Sequence, residues 1–161
     1  MKKIYTIIIS TLLFLIISLL LLRGALRTEE ARIRRNLSRI ESLLSKEADE
    51  PIAAGIIRAN RTAEYFTQDC RINVNGFNIT GKAELSAIIH NTRAGAAALN
   101  VRFHDVNITI RDEGAAEVFM TAAASPNGLA RETIAREVKL IFLRRNGSWK
   151  IDSAETVEVL R

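Results

Sequence analysis

A stretch of nineteen residues near the start of the chain, Ile4 to Leu22, contains no charged residue, proline or glycine. As an α-helix with a rise of about 1.5 Å per residue it would be about 28 Å long, close to the ~30 Å hydrocarbon core of a bilayer. A cleaved signal peptide has a shorter apolar core followed by a small-x-small site. Here Leu22 runs directly into Arg23, so the stretch predicts an uncleaved membrane anchor.

The anchor divides the 161-residue chain into two parts. Residues 1–27 are the anchor with its flanks, and residues 28–161 have a length typical of one domain with a single core. A short Met-Lys-Lys head before an apolar run is typical of an exported bacterial N-terminus. We therefore expect a single-pass protein of a bacterial-type inner membrane with an extracytoplasmic domain. The arginines that follow the anchor favour the opposite orientation under the positive-inside rule.

The net charge of +5 comes almost entirely from the flanks of the anchor. Lys2, Lys3, Arg23 and Arg27 contribute +4, and the rest of the chain carries 19 basic and 18 acidic side chains, which leaves +1. A nucleic-acid-binding domain would show a basic excess on one face, so we expect no nucleic acid partner. The single cysteine, Cys70, excludes an intrachain disulfide and is best interpreted as a small buried apolar residue.

The first half of the domain is predicted to be mainly helical. Four apolar residues recur at helical spacing over residues 28–47, namely Ile33, Leu37, Ile40 and Leu44. This stripe packs either on its own domain or, with the helix acting as a stalk, against a second chain in a short coiled coil. Pro51 suits the first position of a second helix, which is predicted to end near Thr67. A short strand over residues 70–74 and a third helix from Gly81 to about Thr92 follow.

The second half of the domain reads as four long strands that begin near Leu99, Ala116, Ile134 and Trp149. The alternation of apolar residues changes phase near His104 and Asp105, which predicts a β-bulge. Short turns make neighbouring strands antiparallel, and the last strand is predicted to run to Val159. Helices grouped before such a sheet predict an α+β fold, a cone-shaped domain in which three helices pack on a curved, mostly antiparallel β-sheet.

Three short segments resemble nuclear transport factor 2-like domains. Residues 63–66 (Ala-Glu-Tyr-Phe), followed by Asp69, resemble the segment that joins the second helix of those domains to their first strand. Residues 81–85 (Gly-Lys-Ala-Glu-Leu) are similar to the start of their third helix, and residues 145–151 (Arg-Asn-Gly-Ser-Trp-Lys-Ile) resemble their closing hairpin. The resemblance covers about residues 28–161 and implies the SnoaL-like, cystatin-like cone.

The resemblance leaves the function open, because this superfamily includes ketosteroid isomerase-like enzymes, SnoaL-like cyclases, dehydratases and modules without catalysis. The isomerases keep a general-base carboxylate on or just after the first strand. This chain has Ile72, Asn73, Val74 and Asn75 there, and an amide cannot accept the proton. No group of His, Cys, Asp and Glu has the spacing of metal ligands.

We therefore predict a non-catalytic binding or scaffolding module, with no catalytic residue, metal or cofactor. Its expected partner is a small apolar or carboxylate ligand, or a protein. One alternative is a SnoaL-like or ketosteroid isomerase-like lyase or isomerase that acts on a hydrophobic substrate through Tyr65, His90 or His104. Another is a structural subunit of an envelope complex.

Two sets of residues are candidates for binding. Five side chains are expected to line the cavity of the cone, namely Tyr65, His90, Met120, Arg136 and Trp149. Arg136 is unusual on an apolar strand face, where it either anchors a carboxylate or extends to water. The opposite sheet face is unusually apolar, and the resemblance implies a homodimer through it. The residues of this predicted dimer face are Phe119, Thr121, Ala123, Ile141 and Leu143.

Overall fold

The computed structural model describes residues 28–157 except residues 75, 113 and 127–132. These residues form an α+β unit of three helices and a six-stranded, mostly antiparallel sheet. The predicted anchor, Ile4 to Leu22, lies outside them, as does Val159. Within the described part of the chain, no helix is both long enough and apolar enough to cross a bilayer.

The first helix, α1 over residues 28–44, buries its apolar stripe in the domain. Ile33, Leu37 and Ile40 are at most 3% exposed, and Leu44 packs against the same core. The stripe is therefore used within the chain, as the packed-helix interpretation requires, and it is not available to a coiled coil.

The first two helices end earlier than predicted because the residues that follow them form backbone hydrogen bonds with strands of the sheet. After α1, the backbone of Lys46 pairs with that of Leu99 through hydrogen bonds of 2.7 and 2.9 Å. The second helix, α2, spans Ile52–Ala63, and Phe66 already belongs to a strand. There the backbone N–H of Ile151 donates to the carbonyl of the residue before Phe66 at 2.8 Å.

Helix α2 packs on the domain through small residues rather than large ones. Its buried residues are Gly55, Ala59, Thr62 and Ala63. Its three isoleucines, Ile52, Ile56 and Ile57, are exposed by 80%, 45% and 52%. Small buried side chains let α2 approach its neighbours closely, and its large apolar side chains are left on the surface.

The third helix, α3, spans Lys82–Gly95 and begins where the sequence predicts. Gly81 precedes it with a φ of +87°, a left-handed conformation that glycine adopts readily. The carboxylate of Glu84 accepts the backbone N–H of Thr80 at 2.9 Å. This contact satisfies a donor at the helix start and places negative charge at the positive end of the helix dipole.

The sheet contains one strand, β2, and two strand pairs, β1 with β2 and β1 with β6, that the sequence did not predict. Its strands are β1 (Phe66–Val74), β2 (Phe77–Thr80), β3 (Leu99–Asp112), β4 (Ala115–Pro126), β5 (Ile134–Arg145) and β6 (Ser148–Thr156). They lie in the order β2-β1-β6-β5-β4-β3. All neighbours are antiparallel except β1 and β6, which are parallel. In place of the predicted short strand before α3, the structure has a hairpin of β1 and β2. Strand β1 of this hairpin pairs with β6 and so joins it to the rest of the sheet.

The predicted bulge in β3 is confirmed. The pairing of β3 with β4 shifts register between His104 and Asn107. Asp105, inside this interval, has a φ of +53°, which is uncommon for a residue other than glycine. The extra residue changes which side chains face inward, and this accounts for the phase change in the apolar pattern.

The core lies between the helices and one face of the sheet. The strands contribute Cys70, Ile72, Ala116, Val118, Met120, Val138, Leu140, Phe142, Trp149, Ile151 and Ala154, and the helices contribute Ile33, Leu37, Ile40 and Leu85. Cys70 is fully buried, and this burial raises the pKa of its thiol. A neutral, enclosed thiol packs as an apolar residue, in agreement with the interpretation from the sequence.

Candidate functional site

A small cavity lies where the end of α1, the start of α2 and the last turns of α3 meet. Its volume is about 170 Å³. An engineered apolar cavity of ~150 Å³ in another protein holds a benzene molecule, so a guest of similar size fits here. The walls are Lys46, Glu50, Pro51, Ile52, Gly55, His90, Arg93 and Ala94.

A buried ion pair forms one wall of this cavity. Arg93 is 2% exposed, and its Nη2 donates to both carboxylate oxygens of Glu50 at 2.5 and 2.7 Å. Its Nη1 donates to the carbonyls of Leu43, Leu44 and Ser45 at 2.7, 2.6 and 2.9 Å. These carbonyls close α1, where the last turn has no partners within the helix and the dipole is negative. The guanidinium therefore joins α3 to the end of α1.

Two more positively charged side chains, Lys46 and Arg58, lie near the ion pair. Lys46 Nζ donates to the carbonyls of Arg93 and Ala96 at 2.9 and 2.6 Å, at the C-terminal end of α3. Arg58 Nε lies 3.5 Å from a carboxylate oxygen of Glu50. The cavity lining thus carries two positive side chains, Lys46 and Arg93, and one negative, Glu50.

Two buried nitrogen atoms of the lining have no hydrogen-bond partner among the described residues, namely His90 Nδ1 and Arg93 Nε. A buried polar atom left without a partner costs about 1–3 kcal/mol, so such an atom requires an explanation. The Nε of arginine can only donate, and a histidine ring nitrogen donates or accepts according to its tautomer. Both atoms have less than 1 Å² of accessible surface, so a guest with acceptor oxygens could satisfy them only after the lining side chains shift.

No protein family and no curated protein matches the chain by sequence. Solved structures match it by shape. A nuclear transport factor 2-like protein with a cystatin-like fold from Novosphingobium aromaticivorans is 17% identical and has a TM-score of 0.66, covering 85% of this chain and 86% of that chain. A Mycobacterium tuberculosis protein of unknown function is 14% identical with a TM-score of 0.68, covering 85% and 76%. A nuclear transport factor 2-like protein of unknown function from Shewanella oneidensis is 14% identical and has a TM-score of 0.64. The match covers 81% of this chain and 99% of that chain.

The chain has the nuclear transport factor 2-like fold. This agrees with the resemblance of its short segments, and the shared shape extends over most of the domain. Identities this low carry no activity from one protein to another, so the site has to be interpreted from its own residues.

Two of the residues predicted to line a pocket, Met120 and Trp149, lie in the packed core of the nuclear transport factor 2-like fold. They are 7% and 3% exposed and belong to the main apolar cluster. The indole Nε1 of Trp149 donates to Glu29 of α1 at 2.6 Å, and its carbonyl accepts from Asn36 at 3.2 Å. Trp149 therefore joins α1 to the sheet.

Tyr65 lines a second, more open cleft between α1, α2 and β6. This cleft has a volume of about 550 Å³ and is lined by Arg39, Ser42, Leu43, Arg61, Glu64, Tyr65 and Lys150. Lys150 Nζ donates to the carbonyl of Glu64, whose carboxylate is 2.5 Å from Lys82 Nζ. The hydrogen bond from Lys82 lowers the pKa of Glu64.

Arg136, expected on the inward face of β5, is exposed instead. Its Nη1 donates to the carbonyl of Ala135 at 2.9 Å. Ile134, two residues earlier in the same phase, is 55% exposed, so this end of β5 extends beyond the part of the sheet that the helices cover. The structure favours the interpretation in which Arg136 extends to water.

The three side chains considered for catalysis stand in different places. His90 lines the small cavity, Tyr65 lines the open cleft, and His104 is exposed on β3 opposite Thr121. Nor do the described residues contain a group of three or more His, Cys, Asp and Glu that could hold a metal ion. Tyr65, His90 and His104 therefore do not converge on one ligand position.

The sequence interpretation missed Glu50 and Arg93, which form the wall of the cavity. Glu50 precedes Pro51 in a predicted connection, and Arg93 follows the predicted end of α3, so neither was named as a candidate. Residues 43 positions apart give no periodic signal that they meet. The only hint in the sequence was that Arg93 is a basic residue near the end of a helix. Such residues usually interact with the negative end of the helix dipole, so the position does not point to a buried ion pair.

Proposed function

We propose that this protein is a membrane-anchored, non-catalytic binding module that takes a small carboxylate in the cavity beside Arg93 and His90. The observation that carries the proposal is the pair of unpartnered nitrogens, His90 Nδ1 and Arg93 Nε, in the lining of a cavity of about 170 Å³. A carboxylate has two acceptor oxygens, one for each nitrogen, and its binding requires the lining side chains to shift and uncover both atoms.

Charge and shape support an anion with a short apolar tail. Lys46 and Arg93 outweigh Glu50 in the lining, and a charge-assisted hydrogen bond is roughly twice as strong as a neutral one. Pro51 and Ile52 contribute apolar surface to the lining. Mostly apolar walls with a few convergent polar groups are typical of small-molecule sites.

We expect butyrate, titrated into the full-length chain in detergent micelles, to shift the NMR signals of His90, while butan-1-ol leaves them unchanged. The variant Ala94→Leu places a larger side chain in the lining and should weaken binding at least about tenfold, since the guest loses both space and contact. The dissociation constant from the titration measures this loss.

The matched control is Ala87→Leu, an equally conservative change at an exposed position of α3 outside the lining. It should bind butyrate as the unchanged chain does. Equal shifts with butyrate and butan-1-ol, or equal affinity of the Ala94 and Ala87 variants, would contradict the proposed site.

The anchor and its orientation are part of the proposal. Ile4 to Leu22 would span a bacterial-type inner membrane once, with the domain on the extracytoplasmic side. Resistance of the full-length chain to alkaline carbonate extraction tests the anchor. Alkaline phosphatase fused to the C-terminus tests the orientation, because that enzyme is active only outside the cytoplasm.

A homodimer through the outer sheet face is the second part of the proposal. On the predicted dimer face, Phe119 is 42% exposed, and Thr121, Ala123, Ile141 and Leu143 are partly buried. A charged cluster lies beside them, where Glu117 pairs with Arg111 and with Lys139. These hydrogen bonds lower the pKa of Glu117, so the carboxylate stays ionised within the proposed interface.

Phe119→Glu should convert the dimer into a folded monomer. Phe119 lies opposite Lys139, so a glutamate there gains a partner within its own sheet while it places a charge in the interface. Loss of a central aromatic typically weakens association by about 2 kcal/mol or more. Sedimentation velocity in detergent measures the change.

Phe77→Glu is the control for this experiment, because Phe77 is 73% exposed on β2, away from the predicted dimer face. It should leave the oligomeric state unchanged. A Phe119 variant that sediments as the unchanged dimer would argue against this interface.

A further inference from the structure

Helix α2 presents an apolar surface that the domain leaves uncovered. Ile52, Ile56 and Ile57 are exposed by 80%, 45% and 52%, while the residues that α2 buries are all small. In an ordinary surface helix the large apolar side chains face the core. Here Ile52 and Ile56 share a helical stripe with the buried Ala59 and Ala63, yet they stay exposed because the domain does not cover the start of α2. Together with Ile57 they are available to contact something outside the domain.

Arginines continue this surface along both helices. Arg61 follows Ile57 by one helical turn, and across the open cleft it faces Arg39 of α1. Arg35 precedes Arg39 by one turn and is also exposed. Within the described residues, none of these three arginines forms an ion pair. Helix α2 itself carries no acidic residue.

We propose that the isoleucines and arginines of α1 and α2 dock on the surface of an anionic bilayer, the membrane in which the proposed anchor lies. We call this set, Arg35, Arg39, Ile52, Ile56, Ile57 and Arg61, the lipid-facing surface. The proposal rests on the proposed anchor, which would join α1 through residues 23–27 and hold the surface close to the membrane.

The composition of the surface fits a lipid headgroup region better than a second protein copy. Helices that lie in the interface insert an apolar side into the acyl boundary and place arginines among the headgroups. The exposed fractions of the three isoleucines, 80%, 45% and 52%, add up to less than the full surface of two such residues, well below the ~800 Å² per partner of a standard protein interface. Tethering by an anchor raises the effective concentration, so a small surface is sufficient.

The test places a fluorescent probe on the surface. Full-length chains with Ile57→Trp or Ile134→Trp are reconstituted into phosphatidylcholine vesicles that contain or lack phosphatidylglycerol, with brominated acyl chains as quenchers. The two positions are matched, with 52% and 55% exposure, but Ile134 lies on β5. Trp149 is buried and supplies a constant background, measured on the chain without substitution.

We expect bromolipid to quench the tryptophan at position 57 in anionic vesicles and to leave the one at position 134 unquenched. Arg39→Gln and Arg61→Gln should each weaken the docking equilibrium by about fivefold, as expected for one cation near an anionic leaflet. Circular dichroism of each variant checks that these substitutions at exposed positions leave the fold intact.

Each of the other outcomes would contradict one part of the proposal: the docking, the role of the arginines or the anchor. Chains that resist carbonate extraction but show no quenching at position 57 overturn the docking and keep the anchor. Equal quenching with and without phosphatidylglycerol overturns the role of the arginines. Extraction by carbonate together with quenching at position 57 overturns the anchor and keeps the docking.

Discussion

Replacing Arg93 with methionine should destabilise the domain by about 3–5 kcal/mol, the usual result of removing one partner from a buried ion pair. The change removes both Arg93 hydrogen bonds to the Glu50 carboxylate, whose side chain is 6% exposed, and leaves Arg58, at 3.5 Å, as its nearest cation. It also removes the hydrogen bonds to three carbonyls at the end of α1. A typical domain is stable by only 5–15 kcal/mol, so this loss is large. Urea denaturation of the full-length chain in detergent, followed by Trp149 fluorescence, measures it.

Arg102→Met is the matched control for this experiment. Arg102 forms an ion pair of 3.1 Å with Glu41, but its side chain is 62% exposed. Exposed pairs contribute about 0–1 kcal/mol because water screens the charges and both side chains lose freedom. If the Arg93 and Arg102 variants unfold at the same urea concentration, the buried pair does not hold the helices together.

Truncating the buried indole, Trp149→Ala, should cost a similar amount, about 3–5 kcal/mol. The indole is 3% exposed inside the apolar cluster, and its Nε1 donates to Glu29 at 2.6 Å. Trp149→Phe keeps an aromatic ring but loses this hydrogen bond, so we expect a smaller loss. Circular dichroism during urea denaturation is the measurement, since the fluorophore is removed.

Phe77→Ala tests whether burial, and not aromatic character alone, causes the effect. Phe77 is 73% exposed, so we expect a change within about 0.5 kcal/mol. Butyrate binding should survive Trp149→Phe, because Trp149 does not line the cavity at Arg93. Loss of binding with an intact fold would return Trp149 to the candidate ligand site.

Much of the fold follows from local patterns. The spacing of Ile33, Leu37 and Ile40 predicted the buried side of α1, and these residues are at most 3% exposed. The phase change near His104 predicted the bulge that the register shift confirms. Both signals arise from the backbone periods of helix and strand, which are properties of neighbouring residues.

The candidate site was far less predictable. His90 was named from the sequence and lines the cavity, but Arg93 and Glu50 were not named. Arg136 was predicted to face inward from the alternation along β5, and it is exposed because alternation assigns a face but not how far the helices cover it. Helical spacing likewise assigns a side of α2 but does not show how much of that side the domain covers, and the isoleucines of α2 are exposed.

The sequence by itself determined the three helices, the four long strands, the position of the bulge and the α+β class, because each depends on interactions within a few residues or between strands joined by short turns. Only the tertiary structure decided that β1 pairs in parallel with β6, that small residues of α2 face inward, and that Arg93 reaches Glu50. These contacts join distant parts of the chain, and their free energy depends on burial and charge in the assembled fold, which no local period encodes.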